Sequence, residues 1–119
     1  MSTTRDRLST NREGYTKKVV ACGIDFYVTV NFYEGTFKPG EIFIHIAKQG
    51  STISGLIDSL VTTASIALQY NVPWEVICTK WSHHTFQPND SENPSLVHSI
   101  AKNVSELIER RKGQLNKEA

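Results

Sequence analysis

Hydrophobic and polar residues alternate most cleanly between Phe26 and Tyr33. Phe26, Val28, Val30 and Phe32 take one side there, and Tyr27, Thr29, Asn31 and Tyr33 the other. A period of two is that of a strand with one buried face. Rising β-branched and aromatic content over residues 15–22 predicts an earlier strand, closed by a turn at Gly23-Ile24-Asp25. Residues 34–40 carry Gly35, Pro39 and Gly40, the composition of a hairpin connection. A third strand follows, with Ile42, Ile44 and Ile46 on one face and Phe43, His45 and Ala47 on the other.

The period then changes. Ile53, Leu56, Ile57, Leu60, Val61, Ala64 and Leu68 recur at three and four, which marks one face of a long helix. Gly50-Ser51-Thr52 precedes it as a turn with capping hydroxyls, and Asn71-Val72-Pro73 stops it. Pro73 suits the start of a short second helix over residues 74–80, because a missing N–H costs nothing there. Residues 82–94 are polar and rich in turn formers, so they read as a loop. The last helix shows Val97, Ile100, Ala101, Val104, Leu107 and Ile108 on one face and ends in Arg110-Arg111-Lys112. The expected fold class is α+β, an antiparallel β-meander with two long helices packed on one face. Residues 1–14 read as a flexible N-terminal arm, 15–113 as a single domain, and 114–119 as a frayed tail.

A chain of 119 residues is long enough for one real core. The net charge of +1 argues against a nucleic acid polymer as partner, since such modules carry a strongly basic face. Cys22 and Cys78 match no C-x-x-C spacing and read as packed, reduced thiols. No apolar run reaches the length of a membrane span, and residues 1–13 lack a signal core. A soluble cytoplasmic protein with no membrane partner is the expectation. Adjacent His83 and His84 point different ways, so with Cys78 they make no metal site. His45 reads as a satisfied histidine on the sheet. No carboxylate pair, nucleophile motif or phosphate loop appears, so no catalytic residue, metal or cofactor is assigned and no enzyme is expected.

Residues 26–73 read FYVTVNFYEGTFKPGEIFIHIAKQGSTISGLIDSLVTTASIALQYNVP. This stretch resembles the TSCPD domain, a module near the C-terminal end of cobalamin-dependent ribonucleotide reductases. The resemblance continues through Phe86, Pro88, Asn93 and Pro94 into Ser99-Ile100. The reductases' catalytic barrel, with its radical cysteine and cobalamin-binding parts, has no counterpart in these residues, and neither has their cysteine-rich tail. Ribonucleotide reduction by this chain alone is therefore not expected. The sequence also looks similar to stand-alone forms of the module, the phage Thoeris anti-defence sponges. Those bind cyclic ADP-ribose signals, and some bind cyclic oligonucleotides, without cleaving them. They assemble from dimers, with pockets where subunits meet. An aromatic residue, an asparagine and arginines of the C-terminal helix hold the ligand, and Phe86, Asn93 and Arg110 or Arg111 occupy the corresponding regions here. The resemblance thus implies a small nucleotide-derived ligand, a homo-oligomer of dimers up to a hexamer, and, for a viral protein, the host cytoplasm.

A nucleotide needs a flat apolar surface for its base and aligned donors for its phosphates. Ser51 and Thr52 at a helix N-terminus, with Lys48 nearby, offer an anion site, although either hydroxyl serves equally as a plain cap. Phe86 either stacks on a ligand or pins its loop to the core. Asn93 either reads a base edge or makes a turn. Arg110 and Arg111 either relieve the helix dipole or reach a neighbouring subunit's phosphate. Three functions stay open: a sponge sequestering a cyclic nucleotide immune signal, a nucleotide-binding accessory subunit of ribonucleotide reductase, and a scaffold. In the scaffold, Tyr27, Tyr33 and Phe43 on the outer sheet face would be interface residues.

Overall fold

The computed structural model describes residues 4–46, 52–83, 90–93 and 95–118. Three strands, β1 (Glu13–Ala21), β2 (Ile24–Phe32) and β3 (Pro39–Ile46), form an antiparallel sheet in the order β1-β2-β3. Three helices follow, α1 (Thr52–Gln69), α2 (Trp74–Ser82) and α3 (Leu96–Glu118). The expected α+β meander is therefore the fold. Cys22 and Gly23 join β1 to β2 with φ of 56° and 74°, the pair of left-handed residues that a tight two-residue hairpin turn requires.

The pairing register places Tyr15 beside Val30 and Val19 beside Phe26, and on the other edge Val30 beside Ile42 and Phe26 beside Ile46. These residues share one face. Phe26, Val28, Val30, Phe32 and Ile42 are shut off from solvent beneath the helices. Helix α1 covers β3, α3 lies across β1 and β2, and α2 packs on α3. Ile57, Val61, Ala64 and Leu68 of α1 and Ile100, Val104 and Leu107 of α3 complete the core. The Ser65 hydroxyl of α1 meets the backbone of Ile42 in both directions, accepting from its N–H at 2.9 Å and donating to its carbonyl at 3.2 Å. Helix α3 begins one residue after Ser95, whose buried hydroxyl accepts the His98 N–H at 3.0 Å as an N-cap.

Four expectations are corrected. The segment before β1 is not a free arm. Leu8 is buried over Gly40, Arg5 Nε donates to Gln69 Oε1 at 2.6 Å, and the Asp6 N–H donates to the Gln69 carbonyl at 2.8 Å. One apolar residue suffices because Gly40 leaves a dent for it. Tyr33 leaves the outer sheet face, its hydroxyl donating to the Asp6 carbonyl. Trp81 and Ser82 belong to α2, with Trp81 buried and edge-on to Trp74 at 5.6 Å between ring centroids. The chain past Gly113 remains helical to Glu118, with Leu115 half-buried and Gln114 donating to Glu118 at 3.2 Å. A single glycine costs a helix only about 1 kcal/mol, which these contacts offset.

Gly14 carries a test of the register. A methyl group there would press into the Val30 carbonyl and the Asn31 side chain on the adjacent strand. Gly14→Ala is expected to cost about 1–3 kcal/mol as the central strand shifts. A denaturant titration showing unchanged stability would contradict this packing.

Candidate functional site

Where α1 meets α2 the chain makes a sharp stop. Asn71 has φ of 68°, its N–H donates to the Leu68 carbonyl at 3.0 Å, and the Val72 N–H donates to the Ala67 carbonyl at 3.1 Å. This is the Schellman closure of a helix C-terminus, and Pro73 then prevents continuation. Pro73 sets the direction of α2, so that Trp74 drops against α3 with its indole N–H donating to Ser105 Oγ at 3.0 Å.

The β2–β3 connection is held from the other side. Its Thr36 N–H donates to the Tyr33 carbonyl at 3.0 Å, and its Thr36 carbonyl accepts from Arg111 Nε at 2.9 Å. Lys38 lies 5.0 Å from the Tyr33 ring centroid and donates to Asn71 Oδ1, fixing the loop to the end of α1.

Between these parts lie two adjoining cavities of about 420 and 320 Å³, which share Trp74, Glu75, Ile108 and Lys112 as walls. The smaller opens between Phe37, Lys38, Pro39 and Pro73. Phe37 stays 49% exposed at its rim, with Lys112 Nζ 4.9 Å from the ring centroid. The larger runs along Cys78, Ser82, Ser105 and Glu109. One end thus offers two ammonium groups beside an aromatic face. The other offers carboxylates and hydroxyls. An anion with an attached flat ring and hydrogen-bond donors suits that order.

The structure distributes the sequence candidates rather than gathering them. Lys48, Ser51 and Phe86 lie outside the described residues. Thr52 is the exposed first residue of α1. Arg110 is exposed, its guanidinium 4.4 Å from the Tyr15 ring centroid, beside the β1 edge. Arg111 turns inward. It is 6% exposed, ion-paired to Glu13 at 3.2 Å and 5.5 Å from the Phe32 ring centroid. Its donors tie α3 to the start of β1 and to the β2–β3 connection. Phe37, Lys38, Trp74 and Lys112 did not stand out in the sequence. The available signal was an aromatic next to a lysine in a connection otherwise made of turn formers.

Asn93 is buried in a turn organised by Asp90. The Asp90 carboxylate accepts the backbone N–H groups of Glu92 and Asn93 at 2.9 and 2.7 Å, and the Asn93 side-chain amide at 3.0 Å. Its second oxygen accepts the Cys22 N–H at 2.7 Å, which clips the turn to the β1–β2 hairpin. The Cys22, Glu92 and Asn93 donors lower the Asp90 carboxyl to about 2. Because this pKa is depressed, the clip is fully present above the usual carboxylate range near ~4 and is lost as pH falls toward 2. The protection factor of the Cys22 amide, its exchange rate relative to the free-peptide rate at the same pH, is expected to fall over that interval in the wild type and to be low at every pH in Asp90→Ala. An exchange rate that Asp90→Ala leaves unchanged would contradict the clip.

Cys22 is buried and Cys78 half-buried, and both are free thiols. Burial, helped by the Asp90 charge, raises the Cys22 thiol pKa. Among the described residues no group of three His, Cys, Asp or Glu side chains is placed to hold a metal, and no helix is long and apolar enough to cross a membrane.

Comparison with known proteins places this arrangement in a family. The sequence pattern of the TSCPD domain matches residues 2–110. A vitamin B12-dependent ribonucleotide reductase of Rhodopirellula baltica is 43% identical over 106 residues, covering 89% of this chain and 10% of that protein. The enzyme of the same name from Streptomyces clavuligerus is 34% identical over 103 residues, covering 84% of this chain and 11% of that protein. The chain thus spans about a tenth of these relatives' length. No solved structure matches. With the family's pattern running from residue 2 to residue 110, the chain belongs to the TSCPD domain family.

Proposed function

We propose that this TSCPD domain binds a small nucleotide-derived anion without transforming it, and that it acts as a sponge, sequestering a cyclic nucleotide signal. The observation that carries the reading is the groove in which Lys38 and Lys112 flank Phe37 above the buried Trp74. Phosphate charge sits between the ammonium groups, a base lies against Phe37, and ribose hydroxyls or an exocyclic amine donate to Glu75 and Glu109. Sequestration follows from mass action alone, provided the protein outnumbers the signal and binds it below its activating concentration.

A second reading is favoured by the relatives. They are named ribonucleotide reductases, so the same groove would serve nucleotide sensing as an accessory part of such an enzyme. Thermal shift separates the two. Cyclic ADP-ribose isomers and cyclic di- and trinucleotides are compared with ATP and dATP, and the ligand is then recovered by chromatography. A shift from a cyclic compound recovered intact supports the sponge. A shift from ATP or dATP alone supports the accessory role. A hydrolysed product overturns both.

A further inference from the structure

The sheet has two edges, and the fold treats them differently. On the β3 edge, helix α1 occupies the outward backbone groups. Ser65 bonds both the N–H and the carbonyl of Ile42, and Gln69 Nε2 donates to the Gly40 carbonyl at 2.9 Å. The β1 edge has no such cover. Its two-residue turn makes Ala21 and Ile24 a hydrogen-bonded pair, and bonding and non-bonding residues alternate from there. Tyr15, Lys17 and Val19 therefore bond β2, while Gly14, Thr16, Lys18 and Val20 aim both backbone groups away from the sheet. These outward residues are all exposed, and among the described residues no hydrogen bond reaches their outward backbone groups. A row of open donors and acceptors along a nine-residue strand is a template for another strand.

The flank of this edge is basic. Helix α3 runs beside β1, with Glu106 paired to Lys17 at 2.6 Å and the Arg110 guanidinium over the Tyr15 ring. Lys102 stands one turn before Glu106 on the same side of α3. Lys18 projects from the other face of the sheet. Among the described residues, Lys18, Lys102 and Arg110 have no carboxylate partner. Glu13 and Glu41, at the far end from the hairpin, are already taken by Arg111 and Arg12. Asp25 sits beside Val20 on β2, a strand away from the edge.

We infer that the β1 edge takes an extended, acidic segment of a partner protein as a fourth strand of the sheet. Main-chain bonds to Gly14, Thr16, Lys18 and Val20 supply affinity, and alternate side chains of the added strand supply selectivity. Carboxylates on its helix side reach Lys17, Lys102 and Arg110. Side chains on its outer side lie beside Thr16 and Val20, where β-branched residues pack well. A second copy of β1 fits this edge poorly, because it would set Lys17 and Lys18 against the same lysines. The edge shares no residue with the Phe37–Lys112 groove, so its occupant is separate from the nucleotide.

A fluorescein-labelled peptide of about ten residues, alternating glutamate and valine, matches the length of β1 and serves as the probe. Fluorescence anisotropy on the full chain is expected to show saturable binding that weakens with salt, and none by the same peptide with lysine for glutamate. Lys102→Glu is expected to lower affinity roughly 10-fold. Lys18→Ala removes a charge alone, whereas Lys18→Pro also removes an outward N–H without touching the bonds to β2, so it should bind more weakly still. Should Lys18→Pro misfold, hydrogen exchange on the wild type reports the same ladder: the Thr16, Lys18 and Val20 amides gain protection when the peptide is added. No binding of the glutamate peptide at near-millimolar concentration, or equal binding of the lysine peptide, would overturn the inference. So would binding that leaves those amides unprotected, or protection that grows with protein concentration in the absence of peptide, the mark of a second copy on the edge.

Discussion

Trp74→Ala is expected to unfold the groove and much of the domain with it. The indole is 7% exposed, edge-on to Trp81, and hydrogen-bonded to Ser105 at 3.0 Å. Truncating a buried tryptophan costs about 3–5 kcal/mol through lost transfer energy and the cavity left behind. That is a large share of the ~5–15 kcal/mol that holds a domain folded. Calorimetry should show Tm falling by more than ~10 °C. Trp74→Phe keeps most of the ring packing and loses the hydrogen bond, a cost of about 1 kcal/mol. Equal losses in the two variants would mean that the ring packing between α2 and α3 contributes little.

Lys112→Glu is expected to remove ligand binding while leaving the fold intact. Lys112 lines both cavities, lies near Phe37, and is paired with Glu109 at 3.1 Å on its own helix. A hydrogen bond between ammonium and phosphate contributes about 1.5–3 kcal/mol, so its loss alone lowers affinity roughly 10- to 100-fold. The reversed charge adds repulsion to that. The pair with Glu109 is exposed and stabilises the helix by only a few tenths of a kcal/mol (~0.3–0.5), so Tm should move little. Lys117→Glu, further along α3, serves as the control with unchanged affinity. Binding that survives Lys112→Glu would move the site away from the groove.

The sheet and the principal helices were legible because a period of two and a period of 3.6 separate cleanly in this chain. Phe26 to Phe32 and Ile53 to Leu68 each repeat long enough to set type and face together. The packing of Leu8 was not legible, since its burial depends on the absent side chain of Gly40, far away in sequence. Trp81 falls between the expected helix of residues 74–80 and the polar loop from 82, whereas its partner Trp74 one helix-length earlier holds it in α2. Arg110 and Arg111 look alike in sequence, yet helix rotation puts one in solvent beside Tyr15 and the other under the hairpin. The groove has the same origin: Phe37, Trp74 and Lys112 belong to three different segments and meet only in the fold.

The most direct test of groove binding is an isotope-edited NMR titration with the nucleotide that gives the largest thermal shift. Trp74 and Trp81 are the only two tryptophans, so two indole N–H signals report on the site. The Trp74 indole and the amides of Phe37, Lys38 and Lys112 should shift together with one saturation curve, and Lys112→Glu should abolish the response. Shifts confined to residues outside Phe37, Lys38, Trp74 and Lys112, with those four unmoved at saturation, would contradict binding in the groove.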